Sequence, residues 1–599
     1  MRISSLLAFA SALLLSIGLG AAVRVLATKI GAVVPVRSSR WHRAPTPTLG
    51  GIAIAGATIS VVLVAMFRWG TIPRDALPML LVMGTSAALF VVGLVDDRLQ
   101  LTPLAKLLAT LVSGAVLVFG LRETLGASVS WWQMIIAIVW YAGIAHAFNL
   151  LDNMDGLAGG VAFVSALGLV AVFGPALGHP MRVLLLALLG GTAGFLAWNV
   201  KPARLFMGDC GSLFLGAMMA GVSLAVLHQP GADIGLDAVI VCLILIVPLF
   251  DTSFVVVLRR LADRPTSRGG TDHLSHRLVS LGLSERTAVA VLYVIGLMGG
   301  ATALLVHDGG PRLLSIAVLF VLAVLLVALY LARVPAYEGE DLRALKHASF
   351  GRFVRDVAFR WHAAEMLLDV VLIATMYYLA FTLRFEDEGR KIAILFPAFV
   401  SSLPIVLVCT LVALYVSGAY SRLWGTFGMR DVLAVVRGVA LGSVTSVFLV
   451  TYLYRFEDIS RGVFVIAAAL LTLALLAARG SFRMMGEAAG GRNGQARRVL
   501  VYGAGSAGQL LVREMRANAE WRMNPVAFLD DDPVKFRRRL LGVMVRGTLE
   551  SLENVIRQSR VEDVVLSSTK ITSDHECRLR EVCRRHDIRV RRFRLEITE

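Results

Sequence analysis

The hydropathy of this chain constrains its fold more than any other feature. Long apolar runs recur along it, for instance 183–198, 238–258 and 316–331, and each approaches the roughly 20 residues that a helix needs to cross a bilayer core. Charged residues make up 17% of the chain, against roughly a quarter in soluble domains. Because unpaired backbone groups are costly in lipid, we predict membrane-spanning α-helices.

The apolar runs fall into two groups, followed by a different pattern. We predict about eleven spans in 1–333, a polar connector at 334–364 and about four spans in 365–480. The ninth span is predicted as one helix over 237–258. From 497 to 599, short β-rich runs alternate with helical patterns and a Gly-rich turn. The predicted fold class is therefore a polytopic α-helical membrane protein with a C-terminal α/β Rossmann-like domain.

The charges predict the topology and exclude some functions. The net charge of +17 lies mostly in loops that follow the odd-numbered spans, and basic loops face the cytoplasm. This places the N-terminus outside and both the connector and the C-terminal domain inside. No nucleic-acid motif accompanies the basic residues, so no nucleic-acid partner is expected. The five cysteines are scattered without a CxxC, which disfavours a disulfide framework or zinc site.

Four polar clusters lie at ends of predicted spans, all on the predicted cytoplasmic face. Ionisable groups are costly there, so each cluster is a candidate functional site. The first is the adjacent pair Asp96-Asp97, which suits metal binding or general-base chemistry. The second has polar side chains near helical spacing, whose oxygens suit a hard cation such as Mg²⁺: His146, Asn149, Asp152 and Asp155.

The third cluster, Phe206-Met-Gly-Asp209-Cys-Gly-Ser212, could stack a base on its ring while the carboxylate holds a metal. The fourth surrounds the end of span nine with side chains that mostly match phosphate oxygens: Asp251, Arg259, Arg260, Arg264, Arg268, His273, His276 and Arg277, with Lys201 and Arg204 on the same side. Solvated positive-inside charge is the alternative interpretation of the fourth cluster alone. Together, the clusters indicate phosphoryl transfer to a lipid acceptor.

Five ordered motifs within 1–333 resemble the polyprenyl-phosphate N-acetylhexosamine-1-phosphate transferases of glycosyltransferase family 4, relatives of the phospho-MurNAc-pentapeptide translocase. The motifs are Ala44 to Gly51, Asp96-Asp97, Asn149 to Ala158, Phe206 to Ser212 and His273 to Leu278. The resemblance implies transfer of sugar-1-phosphate from a UDP-sugar to undecaprenyl or another polyprenyl phosphate, with release of UMP. It implies the bacterial plasma membrane as the location, cell-surface glycan synthesis as the pathway, and a homodimer as a candidate assembly.

The resemblance also implies residue roles. Asp96 and Asp97 would include the group that activates the lipid phosphate, with Asp152 and His273 completing the predicted catalytic set. Asp209 and Asn149 would hold Mg²⁺, or Mn²⁺ in its place. Substrate binding is assigned to Thr46, Gly50, Asp155, Asn199, Lys201, Arg204, Phe206, His276 and Arg277. His146 and Ser275 depart from the usual asparagine and histidine of the family.

The second half, from about 351, resembles the membrane and Rossmann-like parts of nucleotide-sugar dehydratases and epimerases of polysaccharide biosynthesis. Arg384 to Glu386, Gly418 to Trp424, Gly503 to Gly508 and Phe528 to Asp532 carry this likeness. The Gly-rich turn follows a strand and precedes a helix, as nucleotide or NAD binding requires. The predicted cofactor-binding residues are Gly503, Gly505, Gly508 and Asp530.

Other functions make different demands on the sequence. A transporter would place its ionisable groups near mid-membrane, whereas the clusters here lie at one face. A bifunctional protein that also modifies a nucleotide-sugar would need a second acid/base pair, and neither a second Gly-rich unit nor a Tyr-x-x-x-Lys follows Gly508. We therefore expect the C-terminal domain to bind a nucleotide or to dock a partner, with no oxidoreductase activity.

Overall fold

The computed structural model describes residues 2–34, 45–69, 74–125, 130–229, 232–261, 272–332, 350–385, 389–420, 428–454, 460–490, 497–518, 521, 523–567 and 571–594. Two residues of the fourth cluster, Arg264 and Arg268, lie outside these ranges. The chain divides into two compact units, Met1–Arg479 and Gly480–Glu599.

The first unit is helical. Its first part consists of α1 (Arg2–Lys29), α2 (Gly51–Trp69), α3 (Leu77–Leu99), α4 (Pro103–Leu125), α5 (Trp131–Leu151), α6 (Leu157–Phe173), α7 (His179–Asn199), α8 (Asp209–Leu227), α9 (Ile234–Ile244), α10 (Ile246–Leu261), α11 (Leu274–Ser280), α12 (Glu285–Gly309) and α13 (Leu314–Ala332). Two short strands, β1 (Val33–Val34) and β2 (Thr46–Pro47), pair antiparallel between α1 and α2. The second part has α14 (Phe350–Arg384), α15 (Gly389–Val416), α16 (Met429–Tyr454) and α17 (Arg461–Gly490).

The predicted polytopic architecture is confirmed. Among the described residues, 13 helices are long and apolar enough to cross a membrane, or 14 if α9 and α10 form one bent span. The apolar helix α6 is shorter, at 17 residues. Every predicted span thus corresponds to a helix or to a bent pair of helices. Helix α17 continues to Gly490, beyond the predicted end of its span at 479.

The prediction of a single helix over 237–258 is wrong. The chain breaks between α9 and α10 with a bend of 79°. Pro248 explains the break, because it has no N–H to donate to the carbonyl of Ile244 and its ring crowds that carbonyl. The bend turns α10 towards the segment that carries His273.

Helix α8 is the centre of the first part, since 94% of its most apolar segment is buried. It packs against α3 and α5. Small residues allow the closest approach: a side chain at Gly93 of α3 would lie 2.4 Å from the carbonyl oxygen of Asp209. Close packing of these helix ends brings the first three polar clusters together.

The second part of the first unit holds a buried ion pair. Arg479 of α17 donates to Asp369 of α14 at 2.8 Å, and Tyr420 donates to the same oxygen at 2.7 Å. Arg479 and Asp369 are both buried. Buried charges are tolerated in apolar surroundings when they are paired in this way.

The C-terminal unit contains the predicted α/β fold. Strands β3 (Arg497–Tyr502), β4 (Met523–Leu529), β7 (Asp563–Leu566) and β8 (Arg589–Arg592) form a parallel sheet in the order β4-β3-β7-β8. Helices α18 (Ser506–Ala517), α19 (Leu552–Ser559) and α20 (Ser573–Arg585) connect them. Hydrophobic clusters lie on both faces of the sheet. A hairpin of β5 (Arg539–Leu540) and β6 (Val543–Met544), not predicted from the sequence, follows β4.

Candidate functional site

A lysine lies between two carboxylates where α3, α4 and α8 meet. Lys106 Nζ is 2.5 Å from Asp96 Oδ2 and 3.0 Å from Asp209 Oδ2. Asp96 is buried and also accepts a hydrogen bond from the Leu101 backbone at 2.6 Å. The Asp209 side chain keeps 36% of its surface exposed. The ammonium of Lys106 therefore pairs with two carboxylates, and Asp209 is the carboxylate of this group that is exposed to solvent.

Asp97 contacts the same helix in another way. Its carboxylate accepts hydrogen bonds from the backbone N–H groups of Asp209 at 2.9 Å and Cys210 at 3.2 Å. A carboxylate at a helix N-terminus satisfies donors that have no partner within the helix and interacts favourably with the helix dipole. Asp97 thus fixes the first turn of α8, and with it the position of Asp209.

This arrangement requires a residue without a side chain at position 208, which is Gly208. Its φ is +77°, in the left-handed region that side chains disfavour. An added Cβ would lie 2.7 Å from Asp97 Oδ2 and 3.0 Å from Thr48 Oγ1. Glycine at 208 therefore lets the chain enter α8 directly beneath the Asp97 carboxylate.

The second cluster reaches α8 and α4 through hydrogen bonds. Asn149 Nδ2 donates to Ser212 Oγ in the first turn of α8 at 2.9 Å. His146 Nε2 lies 3.1 Å from Thr110 Oγ1 on α4, one turn beyond Lys106. Helix α5 ends at Leu151, so Asp152 is its C-cap residue. The predicted polar groups of the second cluster thus lie at the same end of the helices as the first.

The loop before α2 contacts the third cluster through its backbone. Phe206 donates its N–H to Pro47 and accepts from Gly50, both at 2.8 Å. Thr46 is buried in β2. The family resemblance assigned Thr46 and Gly50 to substrate binding, and the structure brings their loop beside the start of α8.

Asp155, Asn199 and Lys201 support the loop between α7 and α8. Asp155 accepts from the Ala203 backbone at 3.0 Å. Asn199 accepts from Gly156 at 2.9 Å and donates to Leu205 at 3.0 Å, while Lys201 pairs with Glu285. These contacts are structural, because they connect parts of the chain to each other. Arg204 is exposed beside them.

His273 is held by a buried carboxylate. Its Nδ1 lies 2.7 Å from Asp251 Oδ2, and the other oxygen of Asp251 accepts from the Leu274 backbone at 2.8 Å. Because a carboxylate accepts hydrogen bonds, Nδ1 carries the hydrogen and Nε2 is left as an acceptor or a site for protonation. Asp251 thus sets both the tautomer and the orientation of His273.

Three further described residues of the fourth cluster are buried: Arg259, His276 and Arg277. Arg277 donates to the carbonyl oxygens of Leu331 at 3.0 Å and Ala332 at 3.3 Å. Arg259 pairs with Asp272 at 2.9 Å. Burial and then the neighbouring His273 lower the pKa of His276 to about 4. The structure therefore directs Arg277 and Arg259 inward, whereas the sequence alone indicated phosphate contacts.

One hydrogen bond connects the second and fourth clusters. Ser275 Oγ donates to Asn153 Oδ1 at 2.9 Å. This bond ties the His273 segment to the loop after α5. All four clusters are therefore linked through described residues.

Binding of Mg²⁺, or of Mn²⁺ in its place, at Asp209 and Asn149 stays a prediction. The described residues contain no group of three or more His, Cys, Asp or Glu side chains placed to hold a metal. Mg²⁺ commonly uses one or two carboxylates and completes its shell with water and substrate phosphates. The exposed carboxylate of Asp209 fits that pattern, with the side-chain oxygen of Asn149 on the neighbouring helix.

Sequence reasoning missed Lys106. It lies four residues into α4, in the run Pro103-Leu-Ala-Lys-Leu-Leu, and was included within a predicted span. A single lysine inside an apolar span is itself a signal of function, because its burial in lipid is costly. Its partners lie 10 and 103 residues away, so only the fold shows which carboxylates it neutralises.

The Gly-rich turn of the C-terminal unit lies between β3 and α18, as predicted. Asp530 Oδ2 accepts from the Ala504 backbone at 2.6 Å, and Lys535 Nζ lies 3.1 Å from both carboxylate oxygens of Asp530. These partners lower the pKa of Asp530, although burial alone would raise it. Asp530 therefore binds the Gly-rich turn itself, and a ribose contact would compete with these bonds. Nucleotide or NAD binding here stays a prediction.

Known proteins resemble the two halves of this chain separately. Residues 79–227 match the family described as Glycosyl transferase family 4, and residues 416–569 match one described as CoA-binding domain. The chain is 32% identical over 313 residues to the probable undecaprenyl-phosphate N-acetylglucosaminyl 1-phosphate transferase of Bacillus subtilis, covering 50% of this chain and 84% of the relative.

Two further relatives with similar names also match this chain. The decaprenyl-phosphate N-acetylglucosaminephosphotransferase of Mycolicibacterium smegmatis is 30% identical over 349 residues, covering 52% of this chain and 84% of its own. The phospho-N-acetylmuramoyl-pentapeptide-transferase of Enterococcus hirae is 31% identical over 225 residues, covering 33% of this chain and 67% of its own. The match with most of the Bacillus subtilis protein confirms the family that the five motifs predicted. This chain belongs to glycosyl transferase family 4, whose members include polyprenyl-phosphate sugar-1-phosphate transferases.

Proposed function

We propose that this protein transfers N-acetylhexosamine-1-phosphate from a UDP-sugar to polyprenyl phosphate and releases UMP. The observation that carries the proposal is Lys106, whose ammonium lies 2.5 Å from Asp96 and 3.0 Å from Asp209. A cation and carboxylates at the ends of membrane helices suit a reaction between two phosphates, one of which belongs to a lipid. The names of the Bacillus subtilis and Mycolicibacterium smegmatis relatives support the same reaction.

The reaction exchanges one phosphoanhydride for another. An oxygen of the lipid phosphate attacks the β-phosphorus of the UDP-sugar, the bond to the bridging oxygen breaks, and UMP leaves with that oxygen. Positioning and charge neutralisation supply most of the catalysis in such transfers. Lys106 can move from the carboxylates to a phosphate oxygen, because its side chain is flexible and its charge is compact.

The two adjacent aspartates have different roles in this proposal. Both oxygens of Asp97 accept backbone N–H groups of α8, so Asp97 positions Asp209. Asp96 makes one of its bonds to Lys106, and the movement of Lys106 would free that oxygen. Asp96 is therefore the carboxylate that accepts a proton from the lipid phosphate. His273, with Nδ1 held by Asp251, offers Nε2 to a phosphate or sugar oxygen.

Asp209, with Asn149, would hold Mg²⁺ against the donor diphosphate, where the ion supplies neutralisation of the phosphate charge. The loop of Thr46 and Gly50 would lie along the path of the lipid phosphate, and Phe206 beside it would stack on the uracil. We place the site and the C-terminal unit on the cytoplasmic side of a bacterial plasma membrane, because the loops beside the site are the basic ones.

The test is a transfer assay with purified protein in detergent. Radiolabelled UDP-N-acetylhexosamines and undecaprenyl phosphate are supplied with Mg²⁺ or with EDTA, for the wild type, Asp209→Asn and Lys106→Met. The expected result is lipid-linked product that requires the metal and is lost in both variants. Arg122→Gln is the matched control, since this exposed cation lies on the same helix as Lys106 but near its other end. Folded wild-type protein that yields no product from any donor would refute the proposal.

A further inference from the structure

The hairpin after β4 in the C-terminal unit presents a surface that the transferase reaction does not use. We call residues 534–546, which include β5 and β6, the basic hairpin. Four arginines lie on it and all are exposed: Arg537, Arg538, Arg539 and Arg546. A concentration of like charge on one short hairpin is unfavourable unless a partner of opposite charge offsets it.

The charge of the basic hairpin is not neutralised by its own domain. Within the described part of the chain, no carboxylate lies within salt-bridge distance of these four arginines, and the side chain of Arg546 donates to Gln558 Oε1 at 3.4 Å. Several other bases of the domain are paired: Lys535 of the same hairpin with Asp530, Arg580 with Glu576, and Arg585 with Glu581. The four arginines of the basic hairpin therefore carry positive charge that no described carboxylate of the domain offsets.

Two apolar side chains stand among these arginines. Val534 is 64% exposed and Phe536 is 49% exposed, and the guanidinium of Arg537 lies 5.4 Å from the centre of the Phe536 ring. Exposed aromatic and aliphatic groups beside Arg and Lys are typical of surfaces that enter the headgroup region of a bilayer. A surface for a soluble acidic partner would not need Val534 and Phe536 exposed together.

The basic hairpin is held firmly by the sheet behind it. Val545 is buried, bridges to Phe528 of β4 and exchanges backbone hydrogen bonds with Arg537 and Arg538 at 3.0 and 2.9 Å. Arg546 donates its N–H to the Phe528 carbonyl at 2.9 Å. The arginines are therefore presented from a fixed backbone, so little backbone conformational entropy is lost when they bind.

The chain itself indicates which anionic surface is available. Helix α17 ends at Gly490 and β3 begins at Arg497, and six residues of linker reach at most roughly 20 Å. A bilayer is thus always within the domain's reach at high effective concentration. We infer that the basic hairpin docks on the anionic lipid headgroups of the bilayer that the chain's own helices span.

Hydrogen exchange of the full-length protein in nanodiscs tests this inference. One set of nanodiscs contains phosphatidylcholine alone, and the other contains about one third phosphatidylglycerol. Peptides covering 534–546 should exchange at least about fivefold more slowly in the anionic discs, because each arginine near an anionic surface changes the association equilibrium by about fivefold. The protection should fall when the salt concentration is raised to about 0.5 M.

Two variants make the result specific. Arg537→Gln/Arg538→Gln/Arg539→Gln should abolish the difference between the two lipids. Arg578→Gln/Arg584→Gln, which removes two charges from α20, should preserve it. The hydrogen exchange of peptides from β3 and β4 shows whether each variant is folded. Equal exchange in both lipids, or protection that survives the triple substitution, would overturn the inference.

Discussion

Asp97, near the end of α3, accepts a hydrogen bond at 2.9 Å from the backbone N–H of Asp209, the first residue of α8. The two aspartates are 112 positions apart in the chain. One carboxylate thus fixes the backbone that carries the other. Asp97 therefore positions the start of α8, whereas Asp96, Lys106 and Asp209 carry the charge in the proposed reaction.

Asp97→Ala should reduce kcat by at least about a hundredfold, because a displacement of about 1 Å at a reacting group has an effect of that size. Loss of the cap should also lower the free energy of unfolding by about 1 kcal/mol. Asp97→Asn keeps an oxygen that can accept from the Asp209 backbone and should retain more activity than Asp97→Ala. Steady-state kinetics and thermal unfolding in detergent measure both effects. Equal losses in the two variants would indicate a chemical role for the charge.

Lys106→Met should lower transfer by about a hundredfold or more, since an interaction at the charged transition state is lost. It should also destabilise the site, because Asp96 and Asp209 then face each other without a cation. A double variant, Lys106→Met with Asp96→Asn, should recover part of the thermal stability and none of the activity. A double variant that is as unstable as Lys106→Met alone would argue against charge repulsion as the cause of the destabilisation.

Gly208→Ala should destabilise the start of α8 by about 1–3 kcal/mol, because a side chain at positive φ is strained and its Cβ would contact Asp97. Transfer activity should fall in parallel. Gly84→Ala on α3, where an added Cβ meets nothing within 4 Å, is the matched control and should behave as wild type. Thermal unfolding of the two variants side by side measures the difference.

Asp369→Asn should lower stability by about 3–5 kcal/mol, since it removes the carboxylate charge that lies 2.8 Å from the buried Arg479 guanidinium. The double variant Asp369→Leu/Arg479→Met should recover most of that loss, because two apolar side chains need no pairing. The measurement is thermal unfolding in detergent. A double variant as unstable as the single one would show that the pair contributes more than charge balance.

His276 should make the first unit sensitive to acid. Its pKa in the folded state is lowered to about 4, below the value of about 6.5 for an unfolded histidine. The unfolded chain therefore binds more protons between these values, and stability falls as the pH decreases from about 6.5 towards 4. His276→Gln should show less of this decrease, by up to about 3 kcal/mol. Thermal unfolding from pH 7 to pH 4.5 measures it, with His575→Gln as the control at an exposed histidine.

Much of the architecture follows from local chemistry. Apolar runs of span length predicted the helices, and the alternation of strands, Gly-rich turn and helix predicted the parallel sheet. The order of the polar motifs also predicted the family. These features depend on residues close together in the chain, where hydropathy and turn chemistry act directly. The break at Leu245 was missed because Pro248 lies in a run whose hydropathy is uninterrupted.

Only the tertiary structure decided what each polar residue contacts. The sequence placed Asp96, Asp97, Asn149 and Asp209 at the ends of spans, but it gave the two adjacent aspartates one shared role. Packing of α3 and α4 against α8 separates those roles, because it brings Lys106 to Asp96 and the α8 backbone to Asp97. In the same way, Arg277 meets carbonyl groups of α13 instead of solvent. Hydropathy determines which segments enter the membrane, whereas the partner of a charged side chain depends on contacts between residues far apart in the chain.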